Sequence, residues 1–560
     1  MSTKLLLAAA TAVALLHSSI VTGQAGAVGT EGLEESICSG TGVTNGGTCP
    51  VWTGRLDAAG DGPNFSTSVV TSPDGSAVYI AGYGLERGTY RVPAIQLDYD
   101  YYVGAYDAVT GARQWVATYD GPGHGTDEQI FCTSTCLAVS PDGSRVFVTG
   151  ASIGPNGGYD SDYATVALDA TSGSQLWVAR YSGQGAAGAQ DRASSIAMSP
   201  DGARVFVTGL SYGSSLPDGT GWDYATVAYD AATGAQDWVA RYNGTGSTDT
   251  VKEDAPVDLV VSPDGMRVFV TGRSSGTTNN PDYATVAYEA VDGRQIWAAR
   301  YASPGSGPDT PAELAVSPDG ERVYVTGWAD GGWRRASADF GTIAYDTDTG
   351  GVLWVQHFHS GGPVVQGDDF MVGSNADIGV GLAVSPDSSY VYVTGRSATV
   401  AGTLNYDFLT IQYDAVTGEP RWTQRYDGPA NANDLPTDIA VSPDGTQVYV
   451  SGSSAGIGTG FYVGAPTYAG QGVDYLVVAY DALEGSLLGN RLWANRYDGN
   501  VAWDTPQDMA LSPDGSRLYL TGESDGNLGG TVRVSSNGQT QTVGSDLNQL
   551  VVAYNTEPGS

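Results

Sequence analysis

Four kinds of short apolar run return along this chain in a fixed order. The first is a stretch such as "LAV" or "IAV"; the second alternates, as in "RVFVTG", "RVYVTG" and "RLYLTG". Between them stands Ser-Pro-Asp-Gly, beginning at Ser72, Ser140, Ser199, Ser262, Ser317, Ser442 and Ser512, with Ser-Pro-Asp-Ser at Ser385. Pro-Asp-Gly between two apolar runs is turn chemistry, so each copy predicts a hairpin. The third run is "DYATVAYDA" or a relative, and a tight Thr-Gly turn leads to the fourth, "QLWVARY". Eight copies, 55 to 70 residues apart, with four strands each predict an all-β fold. That fold is a closed eight-bladed β-propeller of four-stranded antiparallel blades.

The ends of the chain predict how the ring closes. "VWTGRLDAAGDG" (51–62) matches a fourth strand and its following loop, while the last repeat stops after its third strand, "QLVVAYN" (549–555). An N-terminal outer strand therefore completes the last blade and leaves no open edge at the seam. The propeller is assigned to residues 51–557 and a Gly/Thr-rich lead-in to 28–50. Residues 1–27 read as a secretory signal, with Lys4, an apolar run from Leu5 to Leu16 and small residues ending in Ala25-Gly26-Ala27. No later apolar stretch approaches the ~20 residues of a membrane helix. The mature protein is expected to be exported: secreted, or periplasmic in a Gram-negative host.

Repetition separates scaffold from site. Eight of the twelve tryptophans fall at one fourth-strand position (Trp52, Trp115, Trp177, Trp238, Trp297, Trp354, Trp422 and Trp493), which predicts packing between neighbouring sheets. Eight residues before the SPDG serine stand Asp191, Asp254, Asp309, Asp377, Asp434 and Asp504, with Asn64 in the first blade. Each is expected to accept hydrogen bonds from its own blade's backbone. Gly-x-Ser-x-Gly surrounds Ser152, Ser211, Ser274, Ser454 and Ser524. A nucleophile elbow needs a following helix and a histidine, and five copies at strand exits exclude that reading.

Charge and cysteines narrow the partners. Acidic residues outnumber basic ones 61 to 25, and the only lysines are Lys4 and Lys252. So negative a surface repels phosphate backbones, and nucleic acid is not expected as a partner. Cys38, Cys49, Cys132 and Cys136 are an even set in an exported chain, which favours disulfides. The expected pairs are Cys38–Cys49 and Cys132–Cys136. His357 and His359 sit two apart on a strand end and form a possible ligand pair, weighed against simple exposure. "DTDTGG" from Asp346 starts like a calcium loop, but its twelfth position is His357, which excludes an EF-hand. No residue is assigned to a metal.

The strand-turn-strand text carries a further signal. Ala-x-Asp-x-x-Thr-Gly-x-x-x-Trp stands at Ala105…Asp107…Thr110-Gly111…Trp115 and at Ala228…Asp230…Thr233-Gly234…Trp238. Copies at Ala167, Ala287 and Ala344 carry single departures. This resembles the tryptophan-docking motif of the eight-bladed quinoprotein alcohol dehydrogenase-like propellers. SPDG followed by "VYVTG" resembles the repeats of bacterial secreted propellers. The resemblance covers about residues 51 to 555. It implies a blade-to-blade role for the tryptophans and, in the enzymes, pyrroloquinoline quinone and Ca²⁺ on the ring axis beside a disulfide of adjacent cysteines. This chain has no Cys-Cys pair, and no metal ligand or catalytic aspartate carries over.

Function is expected where repetition fails. The first-to-second and third-to-fourth turns are tight; the second-to-third and inter-blade connections are long (83–99, 182–190, 243–253, 359–376, 396–406, 453–473 and 523–547). In an up-and-down blade both long classes emerge on one face, and variable loops on a rigid scaffold carry binding. The unrepeated Trp222, Trp328, Trp333 and Trp503 fall in or beside them, with Arg334 and Arg335, and with Tyr462 and Tyr468 in a Gly/Tyr loop. These are the candidate contacts for an extracellular protein or carbohydrate ligand. The leading reading is a secreted propeller acting as a binding scaffold without a cofactor. The alternatives are a quinone-dependent oxidoreductase, which would bring quinone and calcium, and a polysaccharide-active lyase.

Overall fold

The computed structural model describes residues 36–556 except 40–41, 45–49, 57–63, 86–98, 124–126, 128–134, 155–159, 184–189, 214–220, 245–252, 276–279, 306, 331–337, 361–375, 399–404, 431, 456–472, 484–489, 499–503, 526–532, 537–538 and 543–546. The segment expected as a signal peptide lies outside them.

Blade one consists of Asn64–Thr71, Ala77–Leu85, Tyr99–Asp107 and Arg113–Tyr119, hydrogen-bonded in that order. Blades two to seven repeat the plan, ending with Arg491–Asp498. Blade eight takes Asp504–Leu511, Arg517–Asp525 and Leu547–Asn555 from the C-terminal end of the chain. Its fourth strand is Trp52–Leu56, antiparallel to Leu547–Asn555, with Trp52 opposite Ala553 and Leu56 opposite Gln549. The expected eight-bladed ring and its seam are both present. One difference lies at 28–50: Ser36–Ser39 and Gly42–Thr44 form a hairpin on the outer edge of blade seven. Ser36–Ser39 runs parallel to Arg491–Asp498, with Cys38 opposite Tyr497. An otherwise unpaired edge is thereby covered.

The tight turns owe their geometry to side chains that bond their own backbone. In blade one, Ser72 Oγ donates to Asp74 Oδ1 (2.6 Å) and accepts from Ala77 N (2.9 Å), while Asp74 Oδ1 accepts from Ser76 N (3.0 Å). Those bonds hold the Asp74 carboxyl down at about 2, the Ser72 hydroxyl contributing most. Gly75 closes the turn at φ 70°. The Ser-Pro-Asp-Ser copy puts Ser388 at φ 61°, the only positive-φ non-glycine among the described residues. Its hydroxyl accepts Asp319 N from the neighbouring blade (3.0 Å), a bond that offsets part of the left-handed cost.

The Thr-Gly turns join blade to blade. Asp230 Oδ1 accepts from Thr233 N (2.8 Å) and Thr233 Oγ1 (2.7 Å), and Gly234 follows at φ 72°. The indole of Trp177 in the preceding blade lies over that glycine and donates Nε1–H to Ala231 O (3.1 Å). Trp52, Trp115, Trp238, Trp297 and Trp354 make the corresponding bond. The apolar clusters accordingly sit between sheets: one joins Tyr79, Tyr101 and Val103 of blade one to Leu137, Val146 and Val166 of blade two.

Candidate functional site

Both long classes of connection leave the ring on one face, and its rim is built from polar latches. Asp191, at the start of the innermost strand of blade three, is 1% exposed. It accepts Gly183 N from the exit of blade two (2.7 Å) and Tyr212 N from the end of its own second strand (3.1 Å). Asp254 does the same with Gly244 N and Ser275 N, and Asp309 with Ser303 N and Asp330 N. The sequence predicted bonds within one blade; the structure shows each carboxylate tying two blades together. Burial raises the Asp191, Asp254 and Asp309 carboxyls above the ordinary range.

Counting back from SPDG missed one member. Asp127 occupies the same place in blade two, accepting Gly121 N and, at 3.0 Å, Ile153 N; burial pushes it up to about 6. An insertion carrying Cys132 and Cys136 separates it from Ser140. Counting forward from the fourth-strand tyrosine finds it, since Tyr119 to Asp127, Tyr301 to Asp309 and Tyr426 to Asp434 are equal intervals.

Four of the five Gly-x-Ser-x-Gly serines, Ser152, Ser211, Ser274 and Ser454, belong to these latches. Arg241, on the fourth strand of blade three, donates to Ser211 Oγ (2.7 Å), Asp223 Oδ2 (2.9 Å) and Tyr181 Oη of the preceding blade (3.0 Å). Arg180 and Arg300 repeat this with Ser152 and Ser274. Ser274 donates its hydroxyl to the Asp254 carboxylate and accepts from Arg300, so both sides of the hydroxyl are held in bonds that join the strands.

Four carboxylates of the axial channel escaped the sequence reading. In blades four, five, seven and eight the innermost strand carries a bulge, and Asp258, Glu313, Asp438 and Asp508 stand just after it. Each accepts a backbone N–H from the next blade: Leu314 (3.2 Å), Leu382 (2.7 Å), Met509 (3.1 Å) and Val69 (2.7 Å) in turn. Glu313, Asp438 and Asp508 line a cavity of about 500 Å³. Burial raises Glu313 and Asp508 far above the carboxylate range and Asp438 to about 6. The signal was present as Pro-x-Asp/Glu before an apolar residue, at Pro256, Pro311, Pro436 and Pro506.

Two of the predicted contact residues are described. Trp222 opens the third strand of blade three, half-buried, edge-on to Tyr212 with centroids 5.1 Å apart. Trp328 is half-buried near the end of the second strand of blade five, opposite Phe340 and Thr310. Both stand at loop-side strand ends, in different blades. Trp333, Arg334, Arg335, Tyr462, Tyr468 and Trp503 lie outside the described residues. So does the disulfide pairing: of Cys38, Cys49, Cys132 and Cys136, only the Cys136 side chain is described, and it is buried. The histidine pair does not converge. His357 bonds the Tyr301 hydroxyl, whereas His359 turns to Asp339 and Asp377. Among the described residues no helix is long and apolar enough to cross a membrane.

Solved structures share the fold. The Chaetomium thermophilum Sqt1 structure, bound to the N-terminus of ribosomal protein L10, is 13% identical, with 91% of this chain and 100% of that one covered and a TM-score of 0.51. The quinohemoprotein alcohol dehydrogenase ADHIIG from Pseudomonas putida HK5 is 14% identical over 91% and 76%, with a TM-score of 0.45. BamB from Moraxella catarrhalis is 15% identical over 69% and 82%, with a TM-score of 0.36. No curated protein matches the chain. The PQQ_2 family model, described as outer membrane protein assembly factor BamB, matches residues 51–277, 223–382 and 339–541, and the chain, a β-propeller of the PQQ-like superfamily, belongs to that family.

Proposed function

We propose that the protein is an exported binding scaffold whose partner, a protein or a glycan, docks on the long-connection face. The observation that carries this reading is the contrast between the two faces. Tight turns of nearly one geometry are spent on joining blades, whereas the other face combines connections of unequal length with unrepeated aromatics at Trp222 and Trp328. A rim latched blade to blade holds such groups rigidly, which lowers the entropy cost of binding.

The axial cavity weighs against a quinone cofactor. Pyrroloquinoline quinone is a tricarboxylate, and the described lining offers Glu313, Asp438 and Asp508 with no arginine or lysine. A lining of carboxyl groups without a cation gives the three carboxylates of the quinone no counter-charge. The lining therefore does not suit the quinone.

The test is a glycan and secreted-protein binding screen on wild type, followed by variants against each hit. Trp222→Ala and Trp328→Ala should each weaken binding about tenfold or more, as aromatic anchors do. Asp264→Ala, in a tight turn, should leave affinity unchanged. Affinity lost with Asp264→Ala but kept in both tryptophan variants would place the site on the wrong face. Quinone-dependent turnover of an alcohol would replace the scaffold with an oxidoreductase.

A further inference from the structure

Five blades neutralise the aspartate at the start of the third strand with an arginine of the fourth. The pairs are Arg180–Asp162 (3.0 Å), Arg241–Asp223 (2.9 Å), Arg300–Asp282 (3.0 Å), Arg425–Asp407 (3.6 Å) and Arg496–Asp474 (3.0 Å). Blades one and five break the pattern, with Thr118 in the arginine's place in blade one. In blade five His357 stands where the arginine would be and bonds Tyr301 instead. Asp339, the aspartate left behind, is 2% exposed.

Three donors converge on the place the guanidinium would fill. His359 Nδ1 lies 3.0 Å from Asp339 Oδ1 and 3.7 Å from Asp377 Oδ2, and Asp377 belongs to the next blade. Asp339 Oδ1 and His359 Nδ1 are buried atoms, and neither has a hydrogen-bond partner of acceptable geometry. Asp377 is already fixed, with Ser360 N donating to Oδ2 (2.7 Å) and Ser397 Oγ to Oδ1. Its Oδ2 keeps a second lone pair. A divalent ion bound at about 2.1 Å sets neighbouring donors roughly 3.0–3.5 Å apart, close to the spacing found here. A buried carboxylate pair with no arginine also needs a cation.

We infer that Asp339, His359 and Asp377 form a site for one divalent transition-metal ion, of the Zn²⁺, Co²⁺ or Mn²⁺ class, clamping blade five to blade six. The imidazole selects this class over Ca²⁺ and Mg²⁺, which take oxygen ligands. The corresponding places at two other junctions, Asp100–Asp120–Asp127 and Asp407–Asp427–Asp434, offer only carboxylates as ligands, and the histidine sets this junction apart. The His359 side chain is 28% exposed, so the ion would keep solvent ligands and exchange freely. This inference goes beyond the docking face and does not depend on it.

The experiment uses the full chain stripped with EDTA and titrated with Zn²⁺ by calorimetry and with Co²⁺ by visible absorption. One site per chain is expected, weakened at least a hundredfold in His359→Gln and Asp339→Asn and retained in His357→Gln. Should those variants fail to fold, wild type labelled with ¹⁵N-histidine reports the same contact. Zn²⁺ should then shift one imidazole, that of His359, and leave His357 in place. Binding that survives His359→Gln, or Zn²⁺ titration that moves no imidazole, overturns the site and leaves His359 as an ion-pair partner only.

Discussion

Replacing Gly234 by alanine tests whether the Thr-Gly turns are docking points for the neighbouring blade. At φ 72° an alanine there is strained, and its Cβ would lie 2.6 Å from Cδ2 and 2.7 Å from Cε3 of Trp177. Gly143 supplies the control. It has φ 70°, but the nearest atom to an added Cβ is Pro73 Cδ at 3.6 Å, an ordinary contact. Both variants carry the left-handed cost of about 1–2 kcal/mol. Only Gly234→Ala adds overpacking, because the indole is rigid and held by its bond to Ala231 O; that term is typically ~1–3 kcal/mol. Gly143→Ala should therefore lose about 1–2 kcal/mol and Gly234→Ala about 2–5 kcal/mol in urea unfolding followed by tryptophan fluorescence. If the two variants lose the same amount, the indole yields without cost and the docking argument fails.

Removing residues 51–57 strips blade eight of its outer strand and should lower the melting temperature of the whole ring. An unchanged value would favour an open array, in which end losses stay local. Asp127→Ala leaves the N–H groups of Gly121 and Ile153 without their acceptor and should cost about 2–4 kcal/mol; a loss below ~0.5 kcal/mol would remove Asp127 from the latch series. Stability should also fall as pH rises from 5 to 8. Burial pushes Glu523 up to about 7 and Asp127 to about 6, so the folded state holds these protons more tightly than the unfolded state. That contribution is fully present below the unfolded carboxyl value and is lost as pH passes through the folded values. Glu523→Gln should flatten the decline by about 1–3 kcal/mol, and a urea midpoint that rises across this window would contradict the sign.

Strand count, turn positions, ring closure and the tryptophan wedges were all legible in the amino-acid order. Each is encoded within one repeat or by matching the chain's two ends, and eight copies average away local ambiguity. Ser-Pro-Asp-Gly makes its turn with bonds inside six residues, so no neighbour is needed to read it. What passes between blades was decided only in three dimensions. Asp191 joins Gly183 to Tyr212, and Asp508 reaches Val69 across the seam, 439 residues away. Such partners meet only because closure sets the end of one repeat beside the middle of the next. The axial carboxylates stayed hidden because a bulge turns one polar residue of an apolar strand toward the channel. His359 likewise reads as a loose strand-end histidine until folding brings Asp339 and Asp377 to it, where an arginine is missing and burial makes the uncompensated charge costly.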